Sequence, residues 1–165
     1  MLSSAITFVH ADRARACYFG LAEGSPRRLH PVDHVGRSTA PTTVFEEGTQ
    51  EGNSVFAALD RGEGRYVPSV DLEPPAGWNP ARSRTYKTFI AVPVEVGGRI
   101  FGMLTLDSIR AEDLTGDEVP GLRLLADLLA DALAIGRTPA SPQVPTQTKA
   151  DVVSLSSAAV ESLTP

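Results

Sequence analysis

The chain has 165 residues, with a single cysteine and a formal net charge of −5 at pH 7, and at this size one domain buries its own core without disulfides or metal. The acidic balance argues against nucleic-acid binding, which depends on clustered Lys and Arg side chains that neutralise phosphates. The sequence has neither an uninterrupted apolar stretch of the roughly 18 residues that span a bilayer nor a basic leader before an apolar segment, so we expect a cytoplasmic protein.

The first half of the chain contains short strand patterns divided by turn residues. Residues 14–22 and 29–35 predict two strands, because the turn-rich segment 23–27 between them has the length of a hairpin connection. Residues 66–72 predict a third strand, which Pro68 places at an edge or a bend of the sheet.

A short helix is predicted between the second and third strands. Asn53 is a residue type that caps helix N-termini, and the helix is expected over residues 54–60. Gly62 and Gly64 then end it.

Residues 73–86 predict a long loop of the kind that carries function. This segment contains the only Trp, Trp78, together with several prolines and no periodicity. The basic cluster of Arg82, Arg84 and Lys87 lies in and beside this loop. The cluster could hold an anionic ligand, but we favour a solvated loop.

The clearest local pattern is a hairpin. Residues 88–96 and 99–107 are strongly apolar and are separated by Gly97 and Gly98, which supply the positive φ that a two-residue turn requires. Since both strands are apolar on nearly every residue, both faces of the sheet must be covered.

The last helix is predicted over residues 116–135. Thr115 and Glu118 form a capping-box pattern at its start. One broad apolar face suits packing on a sheet, and a second stripe lies nearly opposite, where it would form an apolar patch of a kind that soluble monomers avoid. We therefore expect a homodimer interface at the second stripe, which consists of Leu124, Leu128 and Ile135.

The composition changes after residue 136. Residues 137–149 carry three prolines and are polar, as linkers are, and residues 151–163 are only weakly helical in spacing. The expected organisation is one domain over residues 1–136 and a Pro/Ser-rich linker and tail over 137–165, either disordered or forming a short docking helix.

Four segments of the chain carry a resemblance to a known family. The run Tyr86-Lys-Thr-Phe-Ile-Ala-Val-Pro-Val94, the run Gly97-Gly-Arg-Ile-Phe-Gly-Met-Leu-Thr-Leu-Asp107 and the helix segment 122–133 closely resemble the C-terminal half of GAF domains. Residues 64–71 are similar to the family's third strand.

The resemblance implies an α+β fold of the GAF/PAS type. It implies a central antiparallel sheet of five or six strands, with the N- and C-terminal helices on one face and a loop-capped pocket on the other. The family's initial helix is usually longer than residues 1–12 can supply, so we expect either a shortened helix here or a chain that begins inside a longer ancestor.

The resemblance also implies a small-molecule sensory domain. Bilin attachment in the family needs a pocket thiol beside a His, and the family's methionine sulfoxide reductases need two thiols, whereas this chain has only Cys17. The cyclic-nucleotide signature is absent as well. We interpret Cys17 as a small buried hydrophobe, expect no enzymatic activity, and leave the cofactor unknown.

The candidate ligand site combines aromatic walls with a few polar groups. The alternative, that the aromatic side chains simply fill the space, has equal weight at this point. The predicted ligand-binding residues are Phe45, Phe56, Asp71, Trp78, Tyr86, Thr88 and Ile90.

Other polar residues have simpler interpretations. His30 and His34 are four residues apart and would point the same way on a strand, but with His10 they suit surface or turn positions better than a metal or haem site, and we expect no metal. Asp107 is interpreted as a cap of the following turn rather than a catalytic group.

Two functional hypotheses follow from the sequence. The first is a regulatory small-molecule-binding and dimerising module of a signalling or transcription-control system, read by a protein output partner or by the tail because no output domain is present. The second is a purely structural protein–protein interaction module with a filled pocket.

Overall fold

The computed structural model describes residues 2–7, 9, 11, 13–79 and 84–136. The predicted linker and tail, residues 137–165, lie outside the described residues. The elements in chain order are α1 (Leu2–Thr7), β1 (Arg15–Ala22), β2 (Arg28–Gly36), β3 (Phe45–Glu46), α2 (Gln50–Asp60), β4 (Arg65–Val67), β5 (Thr88–Val96), β6 (Arg99–Ser108), a 3₁₀ turn (Gly116–Glu118) and α3 (Val119–Gly136).

The strands form one six-stranded antiparallel sheet in the order β3-β2-β1-β6-β5-β4. The predicted hairpin is β5–β6, and its turn residues Gly97 and Gly98 have φ values of 59° and 78°. The α+β fold with a central antiparallel sheet is therefore confirmed, with six strands.

One face of the sheet packs against both terminal helices. Alternate residues of β5 and β6, including Ile90, Val92 and Leu104, join Leu122 and Ala126 of α3 in one buried core. Ala5 of the short α1 belongs to the same core. Both ends of the described domain thus cover the same side of the sheet.

The opposite face is covered by α2 and by loops. Phe19 of β1 and Met103 of β6 pack with Phe56 and Leu59 of α2 in a second, smaller core. This cluster confirms that the central strands are apolar on both faces because both faces are covered. It does not fill the space above the sheet, and a cavity remains between α2 and the strands.

The start of α2 differs from the prediction. The helix begins at Gln50, and the Oγ1 atom of its N-cap Thr49 accepts a hydrogen bond from the Gly52 amide. Asn53 lies inside the helix, where its Oδ1 atom accepts a bond from the Gly48 amide. A Thr–X–X–Gly start and an Asn start are both acceptable caps, so residue type alone could not choose between them.

The third predicted strand is shorter than expected, and one strand was missed. The strand over 66–72 is observed as β4, which ends at Val67, and residues 70–72 form a turn after Pro68. The two-residue β3 pairs with the start of β2 and carries too short a pattern to detect.

The last helix follows the prediction closely. The capping box of Thr115 and Glu118 is present and opens the 3₁₀ turn that leads into α3. The second apolar stripe is exposed to solvent, at 60% for Leu124, 47% for Leu128 and 75% for Ile135. No helix in the described part of the chain combines the length and apolarity needed to cross a membrane.

A glycine at the β1–β6 contact gives a test of this packing. A Cβ at Gly102 would lie 2.0 Å from the carbonyl oxygen of Phe19, which is backbone and cannot move aside. We expect Gly102→Ala to destabilise the protein by several kcal/mol, on the order of the larger overpacking effects. Denaturant-induced unfolding measures the change.

Gly121→Ala is the matched control, because a Cβ at this position in α3 meets nothing within 4 Å. Alanine favours the helix over glycine, so the control should gain roughly 0.5–1 kcal/mol. Equal stability of the two variants would contradict the close strand contact.

Candidate ligand cavity

A cavity of about 220 Å³ lies between the sheet and α2. Its floor consists of side chains from one face of the three central strands, namely Arg15, Cys17 and Phe19 of β1, Phe89, Ala91 and Pro93 of β5, and Met103, Thr105 and Asp107 of β6. The floor is thus built by alternate residues, as the period of a strand requires. Their neighbours in sequence face the terminal helices.

The walls come from α2 and from two loops. Val55 and Leu59 of α2, the segment 39–43, and the loop that follows β4 complete the enclosure. Trp78 and Tyr86 of that loop meet edge to face at 6.1 Å between ring centroids, and Tyr86 meets Phe89 in the same way at 5.8 Å. The long loop is therefore held on the sheet by a chain of three aromatic rings, each pair in a favourable geometry.

One end of the cavity contains a buried ion-pair network centred on Asp107. Arg15, which lies directly across from Asp107 in the β1–β6 register, donates from Nε and Nη2 to Oδ2 at 2.9 and 2.8 Å. Arg37 donates from Nη2 to the other oxygen, Oδ1. The exposed fractions of the three side chains are only 7%, 13% and 6% for Arg15, Arg37 and Asp107.

Arg84 forms a second charged contact at the cavity. Its guanidinium carbon lies 3.7 Å from the centroid of the Trp78 ring, and its Nη2 atom donates to Glu51 at the start of α2. Its Nη1 atom donates to the Asn79 carbonyl at 2.9 Å. With an exposed fraction of 5%, the Arg84 side chain belongs to the cavity wall.

The solvated-loop interpretation of the basic cluster therefore needs a correction at Arg84. Burial against Trp78 and pairing with Glu51 remove this guanidinium from solvent. Lys87 fits the interpretation, since it is partly exposed and pairs with the exposed Asp71. Arg82 lies outside the described residues.

Two uncharged titratable groups of the cavity, the Tyr86 phenol and the Cys17 thiol, have pKa values well above their usual range. Burial raises the pKa of Tyr86 to about 12, against the opposing effect of the Arg84 guanidinium and with a contribution from Asp107. Burial also raises the pKa of the Cys17 thiol to about 12. Both groups are therefore neutral at physiological pH, and Cys17 is buried as predicted.

The structure brings three of the seven predicted ligand-binding residues to the cavity: Phe45, Trp78 and Tyr86. Phe56 is buried nearby, packed in the second core beneath the guanidinium of Arg27 at 4.5 Å. Asp71 is exposed and paired with Lys87, away from the cavity lining.

Thr88 and Ile90 lie on the wrong face of β5 for the cavity. Ile90 belongs to the core beneath the terminal helices, and the Thr88 hydroxyl donates to the Val67 carbonyl at 2.8 Å. The residues of β5 at the cavity are instead Phe89 and Ala91, one position along in each case. Because the residues of β5 from Thr88 to Val94 are all apolar or small, the pattern did not determine which set faces which side.

The interpretation of Asp107 as a turn cap is also corrected, since both of its oxygens accept bonds from arginines. Sequence reasoning missed Arg15 and Arg37 as its partners. A signal was available, because Arg15 opens an otherwise apolar strand and a buried arginine requires an anionic partner.

The two histidines of β2 do not share a face. A bulge in the β1–β2 register places His34 opposite Cys17 and His30 opposite Gly20, and positions 17 and 20 of β1 have opposite parity. Among the described residues, no three His, Cys, Asp or Glu side chains form a group that could hold a metal ion. His10 is not described.

Comparison with known proteins identifies a family. A model described as a GAF domain matches residues 1–134. The chain is also 31% identical over 134 residues to the phosphoribosylformylglycinamidine synthase subunit PurQ of Frankia casuarinae, a match that covers 72% of this chain and 56% of that protein. The chain thus spans about half the length of this curated relative.

Solved structures share the fold at low sequence identity. The cyanobacteriochrome TePixJ GAF domain has a TM-score of 0.64 at 14% identity, with 81% of this chain and 84% of that chain covered. The GAF domain of an Acinetobacter phosphoenolpyruvate-protein phosphotransferase gives 0.63 at 16%, covering 86% and 82%. The type II free methionine-R-sulfoxide reductase of Thermoplasma acidophilum gives 0.59 at 19%, covering 81% and 87%.

The buried network at Asp107 generates a stability prediction. Asp107→Asn removes the carboxylate that two buried guanidiniums share, and breaking a buried pair in this way costs roughly 3–5 kcal/mol. We expect a loss of that size in the free energy of unfolding, measured with denaturant.

Asp71→Asn is the control, because it removes an acid from a solvent-exposed pair with Lys87. Exposed pairs contribute less than about 1 kcal/mol, and the control should lose no more than that. If both variants lost the same small amount, Asp107 would not be the structural centre described above.

Proposed function

The chain belongs to the GAF domain family, and we propose that it is a regulatory module that binds a small molecule in the cavity beneath Trp78 and Tyr86 and acts as a homodimer. The observation that carries the proposal is the 220 Å³ cavity on the sheet face opposite the terminal helices. The cavity combines aromatic and aliphatic walls with a few buried polar groups, which is the character of small-molecule sites.

The contacts that close the cavity suit a module that responds to its ligand. Arg84 and Trp78 attach the loop to α2 through the contact with Glu51, and Tyr86 attaches it to the sheet through Phe89. A molecule in the cavity would contact both attachments. Any difference in its affinity for the open and closed loop would shift the balance between those two states.

The dimer proposal rests on the outer side of α3. Leu124, Leu128 and Ile135 are exposed in the single chain, while the inner side of the same helix packs on the sheet. A second copy of α3 would cover these side chains and remove an apolar stripe from water. Dimerisation at this stripe places the interface directly behind the strands that form the cavity floor.

We propose that the module performs no chemistry of its own. The support is that Cys17, the thiol at the cavity, has a pKa of about 12 and is therefore a poor nucleophile at physiological pH. The PurQ relative is named as a synthase subunit, and since this chain spans only about half of it, we do not transfer that activity. We place the module in the cytoplasm, read by a protein partner or through residues 137–165.

The alternative is a structural interaction module whose whole function is the α3 interface. The exposed stripe on α3 supports it as well as it supports the sensor. The open volume beneath Trp78 favours the sensor, because a purely structural module gains stability by filling that space.

Ligand screening tests the proposal. In a thermal-shift screen of anionic, neutral and cationic small molecules, at least one specific compound should stabilise the protein, by about 2.7 kcal/mol at a concentration 100 times its Kd. Ala91→Leu, which fills the cavity floor, should abolish the shift. Ala57→Leu is the matched control, since Ala57 is exposed on α2 and should leave binding unchanged. A library without a single stabilising compound would favour the structural alternative.

Light scattering tests the dimer. We expect the parent chain to be a dimer and Leu128→Arg to be a folded monomer, because a charge at the centre of the stripe cannot be buried without a partner. Leu72→Arg is the control, since Leu72 is an exposed leucine outside α3 and should leave the dimer intact. A monomeric parent, or a dimeric Leu128→Arg, would remove the interface from the proposal.

A further inference from the structure

We propose that the cavity selects a small monocarboxylic acid with an apolar body about the size of a single ring, and that Arg15 and Arg84 bind its carboxylate. This inference rests on the proposed ligand-binding function and adds the chemical class of the ligand. The supporting observations are the excess positive charge of the buried network, the occupied state of the wall carboxylates, and the apolar remainder of the cavity.

The network at Asp107 carries one positive charge in excess. Two guanidiniums, Arg15 and Arg37, share a single carboxylate, and all three side chains are almost fully buried. Buried charges are normally paired, so a site with this balance favours an anion.

Arg15 is the member of this network that faces the cavity with donors to spare. Its Nε and Nη2 atoms bind Asp107 and its Nη1 atom binds the Thr39 carbonyl at 2.8 Å. A guanidinium has five N–H groups, so these three bonds leave one N–H on each Nη atom. Arg37 binds Asp107 from outside the cavity lining. Arg15 is therefore the guanidinium of this network that lines the cavity.

The wall carboxylates are already bound to arginines. Both oxygens of Asp107 accept bonds, Glu51 accepts from Arg84, and Glu63 accepts from Arg61 at 2.7 Å through each oxygen. Among the described residues, each carboxylate of the wall therefore already pairs with an arginine. None is left to bind the ammonium group of a ligand. A simple acid fits this wall better than an amine or a zwitterion.

Arg84 and Tyr86 complete the end of the cavity that binds the carboxylate in this proposal. Contacts with the Trp78 ring, with Glu51 and with the Asn79 carbonyl hold the Arg84 guanidinium in place, and a positioned fork suits a planar carboxylate. The Tyr86 hydroxyl forms a hydrogen bond with the Arg84 side chain, and both groups line the cavity. A neutral phenol can donate a hydrogen bond to the same carboxylate.

The rest of the cavity accepts an apolar body. Cys17, Phe19, Phe45, Val55, Ala91 and Met103 line it. The volume of about 220 Å³ is below the roughly 300–1,000 Å³ of sites for drug-sized ligands. A ring or a branched aliphatic chain fills such a space, whereas a nucleotide is too large for it.

Acid and amide pairs test the inference on the parent protein. Isothermal titration would compare benzoate, phenylacetate, cyclohexanecarboxylate and 3-methylbutanoate with their uncharged amides. At least one acid should bind, and bind roughly ten- to a hundredfold more tightly than its amide, as expected for hydrogen bonds to a charged group.

Variants locate the carboxylate. Arg84→Gln should weaken binding of the acid about tenfold or more and lower the ratio of acid to amide affinity, and Arg84→Lys should recover part of the loss. Lys87→Gln is the matched control, because this cation lies in the same loop but outside the cavity lining. The acid and amide comparison needs no variant, so it decides the matter if Arg84→Gln fails to fold.

Two outcomes would overturn the inference: none of the four acids binds, or an amide binds as tightly as its acid. The thermal-shift screen then distinguishes failure of the carboxylate class from failure of the ligand-binding function. If a compound of another class stabilises the protein and Ala91→Leu abolishes the effect, the ligand-binding function stands and the carboxylate class falls. If no compound of any class binds, both fall.

Discussion

The structure depends on one constraint, which is that its central strands are apolar on both faces and must be covered on both. The terminal helices cover one face, and their side chains pack with Ile90, Val92 and Leu104 into a continuous core. The other face receives the single helix α2 and two loops. These elements enclose the face without filling it, since Phe56 and Leu59 of α2 pack with Phe19 and Met103 over only part of the face. The cavity is the volume that remains.

The buried charges at the cavity follow from the same arrangement. Arg15 and Asp107 occupy paired positions where β1 and β6 meet, so the register of the sheet brings a guanidinium and a carboxylate together at the edge of the covered area. Burying either alone would cost several kcal/mol. Together they fix the polar end of the cavity to the paired strands β1 and β6, while Arg84 fixes the loop to α2. The polar end thus combines a half carried on the sheet with a half carried on a loop.

Local patterns predicted the fold well and the cavity only in part. The Gly97–Gly98 hairpin and the Thr115 capping box are local, since each depends on residues adjacent in the chain, and both are observed. Contacts with α2 and α3 determine which face of β5 meets the cavity. Because the strand is apolar on both faces, its sequence does not indicate which face this is. Arg15, Arg37 and Asp107 are far apart in sequence, and their association became visible only in the sheet register.

The arrangement also determines the route by which a ligand could affect a partner. Residues of β5 alternate between the cavity, through Phe89 and Ala91, and the core under α3, through Ile90 and Val92. If a ligand displaced the strand, as the proposed function requires, the surface on which α3 packs would change, because only a single layer of backbone separates the two sides. Because the stripe proposed for dimerisation lies on the far side of α3, a small rotation of that helix would alter the pairing of two copies. Coupling of this kind requires two arrangements of α3 on the sheet, in which the domain binds the ligand with different affinity. A regulatory role for this domain depends on that difference.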